Sequence, residues 1–283
     1  MGQIRKVAII GGNRIPFTRS NTAYSHASNM DMLSAALQGL VQRFNLQGER
    51  LGEVAAGAVM KHSRDFNLAR EATLNSGLAL ETPAYDVQQA CGTGLEAAIL
   101  VANKIALGQI DAGIAGGTDT TSDAPLALNE NFRKMMLDLS RAKTLGQRLK
   151  ILGRFRPGFL MPMPPAAGEP RTGLSMGQHC ELMAKEWAIS REAQDELTWH
   201  SHQNLMAAYD RGFFDDLMSP FNGVDRDSIM RDTPLQKLAT LKPAYDKVNG
   251  SLTAANSTAL TDGAATVLLA SEEWAAERNL PVM

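Results

Sequence analysis

The sequence predicts an α/β protein with a mainly parallel central sheet and helices on both faces. Over roughly the first 120 residues, short apolar segments of strand length alternate with longer segments of helical periodicity. The apolar segments lack the polar alternation of a strand with one face in water, so we expect helices to cover both faces of the sheet. Hydrophobic residues make up 44% and charged residues 20% of the 283 residues, which is typical of a folded globular chain.

The elements of this first part follow one another in regular order. The helix predicted at 30–44 places Leu33 and Leu40 on one apolar stripe. The helix predicted at 92–107 ends at Gly108, a residue that commonly closes helices. The predicted order is strand 7–12, helix 30–44, strand 54–59, helix 68–77, strand 84–87, helix 92–107 and strand 110–115.

The middle of the chain, residues 123–246, has a different character. Five prolines interrupt it between positions 157 and 170. Helices are predicted at 174–187 and 191–210, and Ser190 is a suitable N-cap for the second. We interpret this stretch as a helical insertion.

The strand-and-helix alternation resumes after the insertion. A strand is predicted at 264–270 and a helix at 272–278. The expected α/β domain therefore comprises residues 1–122 plus 247–283, and residues 123–246 are inserted into it.

Charge and apolar patterning exclude several classes of protein. A formal net charge of −2 gives no general reason to expect nucleic acid as a partner. No apolar run approaches the roughly 18 residues of a membrane-spanning helix. The N-terminal segment has neither the apolar stretch and cleavage site of a signal peptide nor the composition of a transit peptide, so we expect a cytoplasmic protein. No cysteine–histidine spacing indicates zinc, and no metal site is expected.

The most informative local pattern surrounds Cys91, in QQACGTGLEA. Cys91 falls between a predicted strand and a predicted helix, and Gly92 and Gly94 permit a sharp turn and close approach of a ligand. The positive end of a helix dipole favours a thiolate over a thiol, and the thiolate is the nucleophilic form. From the local pattern alone, a small buried residue is an equally good interpretation of Cys91.

Several ordered motifs resemble the thiolase family. The strand–Cys–Gly–x–Gly–helix pattern is similar to the nucleophile turn of thiolases, and the other matching stretches occur in the family's order. They are VAIIGGNRIPF (7–17), AGGTDTTSDAP (115–125), the helical pair at 173–214 and TAANSTALTDGAATVLL (253–269). The stretch at 140–169 is similar to the thiolase subunit of the fatty-acid β-oxidation complex.

The resemblance implies a fold, a reaction and a set of site residues. It implies the first of two similar halves in a five-layered enzyme, with residues 123–246 as the loop domain. It implies acyl transfer between a 3-ketoacyl-CoA and coenzyme A, with both as substrates and no cofactor. Cys91 is implied as the acylated nucleophile, its N–H as part of an oxyanion hole, and Met176 as part of the acyl pocket. The implied pantetheine contacts are Ala255, Asn256, Ser257 and Thr258, of which the last replaces the family's usual serine.

Two motifs of the family's second half do not occur in this sequence. Thiolases there carry a histidine in Gly-His-Pro and a reactive cysteine in Cys-x-Gly-Gly-Gly, which serve as base and acid. We therefore expect the C-terminal domain to be absent from this chain and the chain to be inactive alone. His179, on a helix that the resemblance places over the pocket, is a weak substitute because a helix-surface histidine is usually only solvated.

Residues 141–156 carry six basic residues and no acidic ones, interleaved with leucine, isoleucine and phenylalanine. A basic amphipathic helix here is compatible with contact to a membrane surface or to a β-oxidation partner subunit. It is also compatible with attraction of coenzyme A phosphates, or with an ordinary solvated helix over the core.

Two other functions compete with the acyltransferase. One is a non-catalytic thiolase-like module that binds acyl-CoA or assembles with other subunits. The other is a condensing enzyme with the same half-fold, such as a ketoacyl synthase, which the helical pair at 173–214 and the segment from 253 onward disfavour. We also expect a homo-oligomer, because an isolated half would expose an apolar face.

Overall fold

The structure is a computed structural model that describes residues 4–283. Within these residues the central sheet contains six strands. They are β1 (Val7–Arg14), β2 (Thr18–Arg19), β3 (Glu53–Ala56), β4 (Ala84–Asp86), β5 (Ala112–Asp119) and β6 (Thr261–Ser271). Residues 1–3 of the predicted segment 1–122 lie outside the described residues.

The sheet is mixed. Its strand order is β1-β6-β5-β3-β4, and β2 pairs with one end of β6. Strands β5, β3 and β4 are parallel, whereas β6 is antiparallel to both β1 and β5. The predicted α/β class is confirmed, and most strands share one direction, but β6 is reversed. Local periodicity marks a segment as a strand without specifying the direction in which it runs.

Helices cover both faces of the sheet, as predicted. The helices before the insertion are α1 (Asn29–Arg43), α2 (Leu68–Leu74) and α3 (Thr93–Ala106). The last helix of the described residues is α9 (Glu272–Glu277). On one face, α1 and α2 pack on the sheet around Leu37, Ile114 and Leu268, which are fully buried. On the other face, Val101 and Ile105 of α3 pack against the sheet.

Helix α3 buries only one of its sides. Ala97, Val101 and Ile105 recur at helical spacing and face the sheet. Leu95 and Ile99 on the same helix are 69% and 44% exposed. The turn that precedes α3 is therefore held by a helix that is firmly packed on one side and open on the other.

The insertion lies between β5 and β6 and contains the remaining α-helices of residues 4–283. They are α4 (Glu130–Arg141), α5 (Leu145–Leu152), α6 (Met176–Glu186), α7 (Arg191–Asp210) and α8 (Leu235–Ala239). The prediction for α7 is confirmed, and Ser190 caps it by accepting a hydrogen bond from the Ala193 N–H. No helix within residues 4–283 is both long and apolar enough to cross a bilayer.

The expected helix over 141–156 is wrong in its extent. Helix α4 ends at Arg141, and Ala142 adopts an extended backbone with φ −70° and ψ 122°. Helix α5 then begins with a capping box in which Thr144 and Gln147 each accept a hydrogen bond from the other's backbone N–H. This cap divides the basic segment, so its charges do not lie along one continuous helix.

Candidate functional site

Cys91 lies in the turn between β4 and α3. The turn begins after Asp86, and Gly92 is the N-cap residue of α3. Cys91 is a free cysteine and is exposed. The interpretation of Cys91 as a small buried residue is therefore wrong for this chain, and its sulfur is open to a reactant.

The sharp bend in this turn falls on Ala90. Ala90 has φ 46°, in the left-handed region, which costs a non-glycine residue of order 1–3 kcal/mol. The Thr93 hydroxyl holds the bend: it accepts from the Gln89 N–H at 2.9 Å and donates to the Ala90 carbonyl at 2.7 Å. We predicted that Gly92 would permit the sharp turn, but Gly92 has an ordinary helical backbone, so the bend does not depend on it.

The N-terminal end of α3 faces the exposed cysteine without a competing side chain. Gly92 provides no side-chain cap; the Thr93 N–H donates to the Ala90 carbonyl at 3.2 Å, whereas the Gly94 and Leu95 N–H groups have no acceptor within residues 4–283. A Cβ at Gly94 would meet nothing within 4 Å, so this side of the turn is open. The helix dipole and free N–H groups favour negative charge at this position, such as that on a carbonyl oxygen under attack.

The loop after β3 packs closely against the turn that carries Cys91. A side chain at Gly57 would collide with the Val87 carbonyl, so only glycine allows the two segments to approach so closely. Asp119, at the end of β5, accepts hydrogen bonds from the Val59 and Met60 N–H groups at 2.8 and 3.0 Å. The turn therefore rests on two neighbouring strand ends.

The predicted pantetheine segment lines a groove of about 510 Å³. One wall is formed by the loop 254–259, which contains Ala255, Asn256, Ser257 and Thr258, and the other wall is formed by α7. The lining residues outside the loop are Arg19, Leu197, Thr198, Ser201, His202, Leu205, Ser228, Ile229 and Arg231. The volume falls in the range of small-molecule sites.

Two arginines give this groove a positive potential. Arg19, the last residue of β2, and Arg231, in the insertion, reach the groove from segments far apart in sequence. Burial and the nearby Arg231 charge lower the pKa of His202, so His202 is predominantly neutral at neutral pH. No local motif in the sequence marks either arginine as a binding residue, so neither was predicted.

The loop residues use their polar groups differently. The Asn256 side chain makes three internal hydrogen bonds: to Asp195, to the Ser251 carbonyl and from the Thr253 N–H. The Ser257 hydroxyl donates to the Thr253 carbonyl at 2.7 Å. Thr258 is exposed, and among residues 4–283 its hydroxyl bonds only to the adjacent Ala259 carbonyl, at 3.2 Å. Thr258 is therefore the loop side chain best placed to bond a ligand.

The other predicted residues lie elsewhere. Within residues 4–283, neither Cys91 nor Met176 lines the groove. Met176 is the first residue of α6 and is 63% exposed. Cys180, the other cysteine of the sequence, is exposed. His179 bonds the Thr172 hydroxyl at 3.1 Å, and no histidine of the described chain hydrogen-bonds to Cys91.

Comparison with known proteins agrees with this geometry. Residues 7–273 match the family described as thiolase, N-terminal domain. A 3-ketoacyl-CoA thiolase of Vibrio cholerae is 41% identical over 285 residues, covering 98% of this chain and 66% of that protein. The mitochondrial trifunctional enzyme subunit beta of Mus musculus is 40% identical over 277 residues, covering 96% of this chain and 58% of that protein. The chain thus spans about two thirds or less of these relatives.

Solved structures show the same fold. A Bacillus anthracis acetyl-CoA acetyltransferase superposes with a TM-score of 0.83 at 27% identity, covering 100% of this chain and 70% of that one. The human mitochondrial 3-ketoacyl-CoA thiolase in complex with CoA superposes with a TM-score of 0.80 at 25% identity, covering 100% and 69%.

Proposed function

The chain belongs to the thiolase family, and we propose that it carries the nucleophilic half of an acyltransferase that works between 3-ketoacyl-CoA and coenzyme A. The single observation that carries this proposal is the exposed Cys91 on a strained turn at the uncapped N-terminus of α3. A relative from Vibrio cholerae that is 41% identical is named 3-ketoacyl-CoA thiolase, which supports the substrate class.

The proposed reaction forms a thioester on Cys91. Its thiolate adds to the 3-keto carbon, and the bond between C2 and C3 then breaks. The electron pair passes to C2, which takes up a proton as acetyl-CoA leaves. The thiolate of a second coenzyme A then attacks the acyl carbonyl, and the Cys91 thiolate departs as the shortened acyl-CoA is released. The N–H groups at the start of α3 stabilise the carbonyl oxygen in both additions.

Coenzyme A is proposed to occupy the groove between the 254–259 loop and α7. Arg19 and Arg231 suit its phosphate groups, since guanidinium groups bind phosphate oxygens through charge-assisted hydrogen bonds. The exposed Thr258 hydroxyl suits an amide of the pantetheine arm. Met176 is proposed to contact the acyl chain, as the family resemblance implies.

Complete turnover needs a base and an acid that this sequence does not show. Neither a Gly-His-Pro nor a Cys-x-Gly-Gly-Gly motif occurs in its 283 residues. Removing one member of such a catalytic set lowers rates by several orders of magnitude. We therefore propose that Cys91 is acylated slowly and that this chain does not complete the second transfer alone.

Mass spectrometry after exposure to an acyl-CoA tests this proposal. The two free cysteines provide a matched pair, because Cys91 and Cys180 are both exposed. We expect an acyl adduct that disappears in Cys91→Ala and persists in Cys180→Ala. An adduct that persists in Cys91→Ala would contradict the assignment of the nucleophile.

A non-catalytic acyl-CoA-binding or assembly module is the alternative, and the groove favours it because Arg19 and Arg231 line it whereas Cys91 does not. Coenzyme A binding without any Cys91 adduct would support this alternative over the acyltransferase. Loss of binding in Arg231→Ala would then place the ligand in the same groove.

The basic segment 141–156 is proposed to contact an acidic surface. Leu145 and Leu149 of α5 are 73% and 60% exposed, and they lie beside the exposed Arg148 and Lys150. Each basic residue near an anionic membrane contributes about 1 kcal/mol, so an anionic bilayer suits this segment. We expect sedimentation with vesicles containing phosphatidylserine, weakened by salt and by Leu149→Asp. Failure to sediment would favour a partner subunit, such as one of a β-oxidation complex.

Two further proposals concern the location of the protein in the cell and its oligomeric state. We propose that the protein acts in the cytoplasm and forms homo-oligomers through the open side of α3, where Leu95 and Ile99 are exposed. Light scattering at low protein concentration tests the second point, and a monomer would contradict it.

A further inference from the structure

Two buried carboxylates of the insertion converge on the segment that leads into the groove. Glu181 on α6 is 3% exposed. Its carboxylate accepts hydrogen bonds from the Ser251 and Leu252 N–H groups at 2.8 and 3.0 Å, and from the Ser251 hydroxyl at 3.0 Å. One side chain of α6 therefore fixes two consecutive backbone groups of this segment.

The second carboxylate reaches the loop through an amide. Asp195 on α7 is 2% exposed and accepts from the Asn256 side-chain NH₂ at 3.0 Å. The other oxygen of Asp195 accepts from Arg191 at 2.7 Å. A buried carboxylate requires such partners, because an unpaired one would cost several kcal/mol.

The Asn256 amide is fully occupied inside the protein. Its NH₂ group donates to Asp195 and to the Ser251 carbonyl at 3.1 Å, and its oxygen accepts from the Thr253 N–H at 2.6 Å. These bonds leave both N–H donors of the amide committed within the chain. The Asn256 side chain therefore has an internal role in the loop, and its amide keeps no free N–H donor for a ligand.

The groove wall depends on these bonds for its shape. Between Thr253 and the start of β6 the chain has no regular secondary structure. The Thr253 hydroxyl accepts from the Ala255 and Asn256 N–H groups at 3.2 Å each, so the turn continues directly from the anchored segment. A wall fixed before the ligand arrives lowers the ordering cost of binding.

We infer that Glu181 and Asp195 are positioning residues that hold the 254–259 wall in a binding-ready shape, with Asn256 as the link between α7 and the wall. The inference rests on the proposal that this groove binds coenzyme A. Neither carboxylate is proposed to touch the ligand. The two carboxylates act on the groove through the backbone of residues 251–256.

Two measurements on the full chain test this role: hydrogen exchange at the Ser251, Leu252 and Thr253 amides, and the dissociation constant for coenzyme A. Asp195→Asn leaves an NH₂ group facing either Arg191 or Asn256, both of which are donors. We expect exchange at these amides to rise and the dissociation constant to increase roughly tenfold, comparable to losing one hydrogen bond to a charged group. Glu196→Gln is the matched control, since Glu196 is the exposed neighbour of Asp195 on α7.

An exchange of the two partners separates positioning from general damage. Asn256→Asp alone sets two carboxylates against each other and should raise the dissociation constant further. In the double variant Asp195→Asn with Asn256→Asp, the amide donates from α7 instead, which restores the link to α7 but not the bond to the Ser251 carbonyl, so we expect part of the affinity to return. A double variant as weak as the product of its single variants would overturn the inference.

Two further outcomes would contradict either the positioning role or the coenzyme A site. If Asp195→Asn binds coenzyme A as tightly as Glu196→Gln does, the positioning role is wrong even though the groove is the coenzyme site. If the unmodified chain does not bind coenzyme A, the proposed function of the groove fails instead.

Discussion

The α/β domain and the insertion are stabilised by different interactions. In the domain, large apolar side chains such as Leu37, Ile114 and Leu268 are fully buried between the sheet and α1. In the insertion, the main apolar cluster is small and centres on Met135, Ala142 and Ile151, which are 6–9% exposed. Its most deeply buried side chains include charged ones.

The insertion buries carboxylates beside its small apolar cluster, whereas the domain buries Glu53 and Asp262 within a much larger apolar core. Glu181, Asp195 and Asp227 are 2–5% exposed, and each is hydrogen-bonded to backbone groups or to an arginine. Burial of apolar area stabilises without directional demands, whereas a buried carboxylate stabilises only in one arrangement of its partners. The domain therefore provides stability, while the insertion provides a defined shape beside the groove.

The largest expected effect comes from breaking the bond between the two regions. Arg14 of β1 donates two hydrogen bonds to Asp227 at 2.7 Å each, and the Phe17 N–H donates a third. Asp227→Ala leaves a buried guanidinium without its partner, so we expect a loss of about 3–5 kcal/mol in the free energy of unfolding. Urea denaturation measures this loss.

Asp216→Ala is the control for that experiment. Asp216 also pairs with an arginine of the domain, Arg43, at 2.9 Å, but it is 82% exposed. We expect no measurable change in its urea midpoint, because exposed pairs contribute little. Equal losses in Asp227→Ala and Asp216→Ala would remove the distinction between buried and exposed links.

A smaller effect is expected from shortening one leucine in each region. Leu37→Ala should lower the free energy of unfolding by about 3 kcal/mol, because it leaves a cavity under α1. Leu149→Ala should change the free energy of unfolding little, because Leu149 on α5 is 60% exposed. Urea denaturation of both variants checks this, and a comparable loss in Leu149→Ala would show that the insertion has a larger apolar core than its burial indicates.

The smallest expected effect is a loosening of the insertion in acid. Burial raises the pKa of Glu181, but hydrogen bonds from the Ser251 and Leu252 N–H groups outweigh it, and the net pKa is lowered from about 4.5. The stabilisation is therefore complete above pH about 4.5 and is lost as pH falls through the lowered value. The fluorescence of Trp199, in the insertion, should change before that of Trp274, which packs on the domain core.

Single-tryptophan variants report on the two regions separately in this titration. Glu181→Gln should remove the early change at Trp199, whereas Glu196→Gln should leave it in place. One common transition that Glu181→Gln does not alter would mean that the two regions lose structure together.

Much of the fold could be predicted from local patterns. The helix at 191–210 and the cysteine turn between β4 and α3 follow from apolar spacing and a capping serine. The break between α4 and α5 was missed, although Thr144 and Gln147 form a recognisable capping box. There the run of basic and apolar residues suggested one continuous helix.

The sequence by itself determined the α/β class and the position of Cys91 at a helix start, because each depends on neighbours along the chain. Only the tertiary structure decided the reversed direction of β6, the meeting of Arg19 with Arg231 and the internal use of the Asn256 amide. These depend on contacts between distant segments, such as Asp195 with Asn256, and no local periodicity records which distant residue will supply a hydrogen bond.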